Sequence, residues 1–600
     1  MKKLSLFYWL LVSLFSAASA QGKHDFALSS KGFLLDGKPY QIISGEMHPA
    51  RIPKEYWRHR IQMAKAMGCN TIAAYVFWNY HETKKGVFDF STENRNIGEF
   101  IRICQQEGMW VILRPGPYVC AEWDWGGLPT YLLQIPDIKI RCMDARYMEA
   151  VTRYVQHLSK EVKPLLCANG GPIILTQIEN EYGSYGNDKE YLMTLKRLWQ
   201  QNGVNGSFYT ADGATPQMLD AGTLPNVAIG LDPGVSDADF LEAYKENPDV
   251  PSFGSEIYPG WLTHWKEAWQ HPDTIELKID ISYLLSHGKS FNLYVIHGGT
   301  NFGFTAGANA FSATQFQPDI TSYDYDAPIN EQGNPTAKYF MLRKLIAASV
   351  SYKIPDMPMP IQSISIPPIT LKPFTSIWNN LPKPFAAPQP RPMEYYNQQQ
   401  GLILYSTKLI GHKAGKLTIT EPHDFALVFL DGKFVDTIHR DGGKWTVMLT
   451  KTGNKNPKLD ILVEAMGHIN FAQYMIDRKG ITDRVTLNGM TLMNWDTYLL
   501  PMDKNFIASL KSSENESSQK GMFFKGDFEL SKTGDTYFDM RKYTKGVVYI
   551  NGHNLGRYWN VGPQQRLYCP ASWLKAGKNE ILVFDMVQEK VAEVQGMPSL

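Results

Sequence analysis

The sequence predicts a (β/α)₈ barrel followed by two all-β sandwiches, and three observations carry that prediction. The chain has 600 residues, too many for one compact core, and 44% of them are hydrophobic. Short apolar runs alternate with helical periodicity through the first half of the chain. The helical periodicity then stops after a proline-rich stretch, beyond which short strands alternate with Asp-Gly and Gly-Gly turns.

Residues 1–20 have the pattern of an export signal. Two lysines precede an apolar run over residues 4–15, and Ala18-Ser19-Ala20 matches a cleavage site. The apolar run is too short for a membrane-spanning helix, which needs about 20 residues. We therefore expect a mature chain that begins near Gln21, is exported to the periplasm or the exterior, and has no membrane span.

Residues 21–353 are predicted to form the barrel. Amphipathic segments, one of which carries Trp57, Ile61 and Ala64 on a single helix face, separate eight strand-like runs. These runs are residues 43–47, 71–77, 109–114, 172–178, 208–211, 227–231, 251–257 and 290–296. Eight such strands are the count of a (β/α)₈ barrel. A doubly wound open sheet is the alternative, but its usual glycine-rich turn after the first strand is missing here.

The second half of the chain divides into a linker and two sandwiches. Residues 354–395 are proline-rich and predict an extended linker, with one strand near residues 364–371 that joins a later sheet. Residues 396–508 and 509–600 have the short strands and turns of jelly-roll β-sandwiches.

Composition and charge exclude several classes of function. The formal charge of +1 argues against a nucleic-acid partner and against polybasic membrane docking. The 15 Trp and 31 Tyr residues suit a ligand with apolar faces and hydroxyl edges, such as a sugar. The six cysteines form no C-x-x-C motif, so we expect mainly buried thiols, with at most one or two disulfides.

Carboxylates follow two of the predicted strands at the barrel end where active sites are built. Glu179-Asn180-Glu181 follows strand four, and Glu256 lies at the end of strand seven, across the barrel. Glycoside hydrolysis needs such a pair, one carboxyl group as acid/base and one as nucleophile or base. Because the two carboxyl groups supply both functions, we expect no cofactor and no metal. Asn180 is suited to hydrogen-bond a sugar hydroxyl.

The segment GGPIILTQIENEYGSYG at residues 170–186 is similar to the signature of glycoside hydrolase family 35, the β-galactosidases. Other segments resemble the same family in the expected order from about residue 25 nearly to the C-terminus: ISGEMHPARIPKEYW, AAYVFWNYHE, VILRPGPYVCAEWDWGGLP, SEIYPGWLTHW, HGGTNFGF and TSYDYDAP. The last sandwich resembles the galactose-binding-like domain that ends this family's chains.

The resemblance implies a mechanism and a set of site residues. Glu256 would be the nucleophile and Glu181 the general acid/base of a retaining double displacement, with carboxyl groups about 5–5.5 Å apart. The implied galactose subsite consists of Tyr75, Cys120, Ala121, Glu122, Asn180, Tyr258, Tyr323 and Tyr325. Cys120 and Ala121 would act mostly through backbone groups.

Three further expectations concern neighbouring residues. Glu179 is expected to have a structural role, paired with an Arg or a Tyr. Phe304 stands where some relatives have a tyrosine, which removes one hydroxyl, and the sequence does not define the residues of the aglycone side. No disulfide to Cys120 is expected.

The expected substrate is a β-galactoside oligosaccharide or glycan, cleaved at its terminal non-reducing galactose. One alternative is the same mechanism on a β-glucosaminide or a β-glucoside, and another is a non-catalytic carbohydrate-binding protein. Trp78, Trp123, Trp125 and Trp261 are candidate rim residues that contact sugar or support loops. In the last sandwich, Arg557 and Trp559 form a sugar platform or brace the barrel.

Overall fold

A computed structural model describes residues 22–312, 315–411, 414–443, 445–513 and 519–600. The predicted signal over residues 1–20 and the cleavage point before Gln21 lie outside the described residues. Within the described ranges, no helix is both long and apolar enough to cross a membrane.

The first half of the chain folds into a closed barrel of eight parallel strands that pair in chain order. The strands are β1 (Ile43–Met47), β2 (Thr71–Tyr75), β3 (Trp110–Arg114), β4 (Ile173–Gln177), β5 (Ser207–Asp212), β6 (Ala228–Leu231), β7 (Ser252–Ile257) and β8 (Phe291–His297). All eight coincide with predicted runs, so the predicted barrel is confirmed. All eight runs are buried, with at most one residue of intermediate exposure in each, because helices cover the outside of the sheet.

One helix follows each barrel strand and covers its outer face. The helices are α1 (Trp57–Met67), α2 (Ile97–Gln106), α3 (Ala145–Val162), α4 (Lys189–Gln201), α5 (Pro216–Gly222), α6 (Asp237–Glu246), α7 (Thr274–Ser286) and α8 (Ala337–Ser349). Trp57 is fully buried in the core, as expected. Gly68 ends α1 in a left-handed conformation (φ 112°), where a Cβ atom would lie 2.6 Å from Ile346 on α8. Only glycine therefore allows α1 to pack this closely on α8.

A small antiparallel sheet closes the N-terminal end of the barrel. Its strands are Phe26–Ser29, Gly32–Leu35 and Lys38–Tyr40. Phe33 packs edge-on against Phe253 of β7, with ring centroids 5.5 Å apart. The opposite end, where the strands terminate, is left for the site.

The middle sandwich follows the proline-rich segment and is entirely β. Its larger sheet contains, in spatial order, Phe385–Ala387, Trp495–Leu500, Leu402–Lys408, Lys458–Glu464, Phe425–Leu430 and Lys433–His439. The facing sheet contains Thr446–Leu449, Gly415–Ile419, Val485–Leu487 and Met490–Thr491. Aliphatic side chains from both sheets form one buried cluster between them.

The C-terminal sandwich takes strands from two distant parts of the chain. One sheet contains, in spatial order, Lys372–Ser376, Met522–Leu530, Gly577–Asp585, Lys545–Ile550 and His553–Trp559. The other contains Ile366–Ile369, Val594–Met597, Thr536–Asp539 and Arg566–Cys569. The proline-rich segment thus supplies an edge strand to each sheet, an edge position being where proline is tolerated.

The described structure also contains shorter helices and strands. Two short helices are Trp78–His81 and Lys504–Ala508, and the remaining strand pairs are Glu82–Lys84 with Val87–Phe88, Ala308–Asn309 with Gln317–Pro318, and Pro422–His423 with Gly480–Ile481.

Candidate active site

The two predicted catalytic glutamates lie at the C-terminal end of the barrel. Glu256 is the fifth of the six residues of β7, and Glu181 lies four residues after the end of β4. The backbone at Glu181 is left-handed (φ 45°), and its N–H donates to the carbonyl of Ala211 in β5 at 2.9 Å. This hydrogen bond fixes the position of the Glu181 backbone at the end of the barrel.

Three hydrogen-bond donor groups lie around Glu256. Tyr258 donates to its Oε2 at 3.1 Å, and the guanidinium of Arg114 makes an ion pair with Oε1. The Tyr75 hydroxyl, whose one proton is shared with Asn180, lies 3.3 Å from Oε1. Burial raises the pKa of Glu256, and the Arg114 charge opposes that effect. Because Arg114 and the two hydroxyls all favour the charged form, the surroundings of Glu256 solvate a carboxylate.

Glu181 is partly exposed and has a contrasting environment. From the residues that the structure describes, its side chain receives one hydrogen bond, a long one of 3.3 Å from the amide of Asn180. Burial raises the pKa of Glu181, and the nearby Glu256 charge raises it further, to about 8. The surroundings of the two carboxyl groups therefore differ: donors to a carboxylate surround Glu256, whereas burial and the neighbouring charge favour the protonated form of Glu181.

Arg114, the last residue of β3, connects four of the barrel strands and was not predicted from the sequence. Its Nε donates to Gln177 at the end of β4 at 2.5 Å, and one terminal nitrogen pairs with Glu46 of β1. The other terminal nitrogen reaches both Asn180 (3.0 Å) and Glu256 of β7. Arg114 and Glu46 are completely buried. The sequence did contain one sign that Arg114 connects the strands, which is that a charged residue ends an otherwise apolar strand-like run.

Asn180 and Glu179 are held by separate networks. The Asn180 side-chain oxygen accepts hydrogen bonds from Tyr75 (2.9 Å) and Arg114 (3.0 Å), which leaves its amide group directed at Glu181. Glu179 pairs with both nitrogens of the Arg141 fork at 2.9 and 2.7 Å, and Tyr191 also donates to it. This is the Arg and Tyr pairing that the sequence predicts for Glu179.

The loop after β3 has an unusual backbone. Cys120, Ala121 and Glu122 are three consecutive non-glycine residues with φ between 49° and 60°. Arg51 donates to the Ala121 carbonyl at 2.6 Å, and Tyr323 donates to the Glu122 carboxylate. The N–H groups of Cys120 and Ala121 donate to no acceptor in the described part of the chain. Such strain persists only where surrounding structure holds it, as it does at functional sites.

The predicted tyrosines surround this loop. Tyr75, Ala121, Tyr323 and Tyr325 belong to one buried cluster, and the partly exposed Tyr258 packs against it. Burial raises the pKa of Glu122, and its charge raises the pKa of Glu181 in turn. All ten predicted site residues are therefore brought together at one end of the barrel.

The rim tryptophans divide into two groups. Trp78, Trp123 and Trp125 are at most 2% exposed and support loops, whereas Trp261 is 44% exposed and lies edge-on to Tyr258 at 5.3 Å.

The six cysteines are free thiols, five of them buried. Within the described ranges, no cluster of three or more side chains could hold a metal ion.

The two sandwiches contact the site from outside the barrel. Asn470 of the middle sandwich accepts a hydrogen bond from Tyr118 at 2.6 Å, and Met475 accepts one from the indole of Trp125 at 2.5 Å. Both barrel residues flank the strained loop. Arg557 of the C-terminal sandwich lies over the ring of Phe304 at 4.7 Å and donates to Ala465 at 2.7 Å, which joins all three domains. These contacts hold the two sandwiches against the barrel, which is the bracing role expected for Arg557.

Comparison with known proteins follows the same division of the chain. The profile of the glycosyl hydrolases family 35 matches residues 32–349, more than half of the chain. The chain belongs to glycosyl hydrolase family 35. The profile of the first all-β domain of β-galactosidases matches residues 390–501, and that of their galactose-binding domain matches residues 521–579.

Full-length relatives of this family 35 protein come from distant organisms. A β-galactosidase of Xanthomonas manihotis is 38% identical over 93% of each chain. β-Galactosidase 17 of Arabidopsis thaliana is 36% identical over 94% of this chain and 87% of its own length. β-Galactosidase-1-like protein 3 of Rattus norvegicus is 35% identical over 93% of this chain and 89% of its own length.

Proposed function

We propose that this family 35 protein is a retaining exo-β-galactosidase, with Glu256 as nucleophile and Glu181 as general acid/base. The observation that carries the assignment is the asymmetry of the two carboxyl groups. Three donors, one of them a cation, stabilise negative charge on Glu256. Glu181 has one weak donor and a pKa near 8, so it holds a proton at neutral pH. The relatives named β-galactosidases support the choice of sugar.

The proposed reaction has two steps. Glu256 attacks the anomeric carbon while Glu181 donates its proton to the glycosidic oxygen, which leaves with the aglycone. Attack spends the negative charge of Glu256, and Glu181 has become a carboxylate. In the second step Glu181 takes a proton from water, whose oxygen displaces Glu256 from the sugar. The released galactose keeps the β configuration.

The remaining site residues hold the sugar and the nucleophile. The hydrogen bond that the Asn180 side-chain oxygen accepts from Tyr75 fixes the orientation of this side chain. Its amide group is therefore available to the sugar hydroxyl next to the anomeric carbon. Glu122 is a buried carboxylate that accepts from sugar hydroxyls, a charge-assisted contact. The free N–H groups of Cys120 and Ala121 supply donors on the same side.

Mechanism-based labelling tests the assignment of the nucleophile. An activated 2-deoxy-2-fluorogalactoside slows the second step, so the covalent intermediate accumulates and can be located by mass spectrometry of peptides. We expect label on Glu256 and none on the Glu256→Gln variant. The exposed Glu276 on α7 offers a matched control, since Glu276→Gln retains labelling. Label on Glu181 or Glu122 would refute the assignment.

Two further measurements test the substrate and the stereochemistry. A panel of aryl β-glycosides is expected to show the galactoside as the best substrate, and faster cleavage of the glucoside or the glucosaminide contradicts that choice. Proton NMR of early time points is expected to show β-galactose before mutarotation. If α-galactose is the first product, the two-step mechanism is excluded.

Export is a separate part of the proposal and rests on the pattern of residues 1–20. Cell fractionation followed by N-terminal sequencing is expected to find a chain that begins near Gln21 outside the cytoplasm. A chain that retains Met1 and stays with the cytoplasmic fraction argues against export.

A further inference from the structure

A cavity of about 240 Å³ lies where the barrel and the two sandwiches meet. The barrel contributes residues 265–267 and 315–318 to its wall, and the C-terminal sandwich contributes Trp559. None of the proposed galactose-subsite residues lines it, although residues 265–267 belong to the same loop after β7 as Tyr258. The cavity is therefore a separate site, one that exists only when all three domains are assembled.

Aromatic rings form much of the wall. Trp559 lies 5.8 Å from Phe425 of the middle sandwich and 6.2 Å from Trp265 of the barrel, measured between ring centroids. Phe316 and the imidazole of His439 also line the cavity, and the imidazole lies parallel to Trp559 with ring centroids 6.1 Å apart. Rings grouped in this way contact the apolar C–H face of a pyranose, which buries surface that water hydrates poorly.

Free hydrogen-bonding groups accompany the rings. Within the described ranges, the indole N–H groups of Trp265 and Trp559 donate to no protein atom, yet neither is sealed from solvent. Because these residues are only 4% and 6% exposed, we infer that this remaining surface opens on the cavity. Gln315 donates its amide to Gln317 at 3.0 Å and keeps a carbonyl oxygen that receives no hydrogen bond from the described residues. The wall thus offers two donors and one acceptor.

The charged groups around the cavity are already paired. Lys266 binds Asp441 at 2.9 Å, and Arg440 binds Asp424 at the same distance. Glu267 is hydrogen-bonded to His264 at 3.0 Å. With each cation committed to a carboxylate, the cavity has no strong attraction for an anion, and its composition favours a neutral polar ligand.

The volume limits the size of that ligand. A space of 240 Å³ corresponds to roughly eight water molecules at the volume that each has in the liquid. It is smaller than the sites of drug-sized ligands, which measure about 300–1,000 Å³. One sugar ring fits this volume, and a disaccharide would have to extend through the mouth.

We propose that this three-domain cavity is a second carbohydrate site that binds one neutral hexose ring. The ring stacks on the aromatic wall, and its hydroxyls accept from the two indoles and donate to Gln315. The proposal does not depend on the chemistry assigned to Glu181 and Glu256, because none of the residues that carry it belongs to that pair.

Indole NMR tests the proposal directly. Full-length protein labelled with ¹⁵N-tryptophan gives separate indole N–H signals, which Trp559→Phe, Trp265→Phe and Trp261→Phe assign by loss of one signal each. On titration with galactose or methyl β-galactoside, we expect the Trp559 and Trp265 signals to shift together and saturate. Glucose is expected to act similarly, glycerol to have no effect, and galacturonate to bind at least several-fold more weakly.

Variants separate this site from the active site. Gln315→Ala is expected to weaken the shifts several-fold, whereas Trp573→Phe, at a position outside the cavity, leaves them unchanged. In the Glu256→Gln protein the Trp559 shift is expected to persist with the same midpoint. The proposal is overturned if the two indoles stay unmoved at saturating sugar, if glycerol moves them equally, or if their shifts disappear in Glu256→Gln.

Discussion

His468 of the middle sandwich makes two hydrogen bonds to one oxygen of Asp124 in the barrel, from its backbone N–H at 2.7 Å and from ring Nδ1 at 2.8 Å. Its Nε2 contacts Glu394 at 2.7 Å. Asp124 lies two residues beyond Glu122, so a residue some 340 positions away holds the end of the strained loop.

His468→Gln tests whether this contact shapes the galactose subsite. Burial alone would lower the pKa of His468, but the charges and hydrogen bonds of Asp124 and Glu394 raise it to about 10. The neutral variant leaves the buried Glu394 and the partly exposed Asp124 without the imidazolium charge, and breaking a buried pair costs about 3–5 kcal/mol. We expect a lower melting temperature and a roughly tenfold or larger rise in KM for galactosides.

The pH dependence of that effect has a definite sign. His468 binds its proton more tightly in the folded protein, so its contribution to stability is complete below pH 6.5 and is lost as the pH rises through about 10. The difference in melting temperature between the two proteins should therefore shrink as the pH rises from about 6.5 to about 10 and stay constant at higher pH. His287→Gln, an exposed histidine, serves as control. Equal KM in wild type and His468→Gln would show that the contact does not act on the subsite.

The pKa of Glu181 predicts how activity falls on the alkaline side of the pH profile, its alkaline limb. As the proposed general acid, Glu181 must start protonated, and its pKa is about 8, so kcat/KM should fall tenfold per pH unit above that value. Glu181→Gln should lose this limb and cleave activated aryl galactosides better than unactivated ones. The exposed Glu190, at the start of α4, gives the matched control Glu190→Gln. An unchanged alkaline limb in Glu181→Gln would assign it to another group.

Arg114→Lys tests the arginine as a positioning residue for the nucleophile. Lysine keeps the charge but loses the planar fork that joins Glu46, Asn180 and Glu256. We expect kcat/KM to fall by about 10²-fold or more. Weaker stabilisation of the Glu256 carboxylate also raises its pKa, so the acid limb should move to higher pH.

A purely structural role for Arg114 would have a different signature. It would lower the yield of folded protein without shifting the acid limb, and that result would reject the positioning role. Arg146→Lys, at an exposed arginine on α3, controls for the substitution itself.

Trp261 predicts where the leaving group lies. It is the exposed member of the rim tryptophans and lies beside Tyr258, which donates a hydrogen bond to Glu256, the proposed nucleophile. Stacking on such a ring is worth about 0.5–1.5 kcal/mol, so Trp261→Ala should raise KM for disaccharides about 3–10-fold. Inhibition by free galactose should not change. Tyr244→Ala, on the exposed face of α6, is the control; weaker inhibition by galactose in Trp261→Ala would place the ring in the galactose subsite instead.

The barrel and the carboxyl pair could be predicted because their signals are local. Apolar strand runs and the residues that follow them are contiguous in the chain, and the ends of parallel strands must meet. Arg114 could not be placed, since its partners lie on three other strands and become neighbours only when the barrel closes. His468 and Asn470 gave no signal, because their contacts join segments about 350 residues apart. Burial of Trp78, Trp123 and Trp125 likewise depends on loops that cover them.

The insertion of the middle sandwich into the C-terminal one has a consequence for synthesis. Strands Ile366–Ile369 and Lys372–Ser376 leave the ribosome before the middle sandwich, and their partners Met522–Leu530 and Val594–Met597 come after it. During translation the two early strands stay unpaired until more than a hundred further residues have been synthesised. The contacts of His468 and Asn470 with the β3 loop also arrive late. A nascent chain therefore carries Glu181 and Glu256 before the middle sandwich can hold the loop after β3.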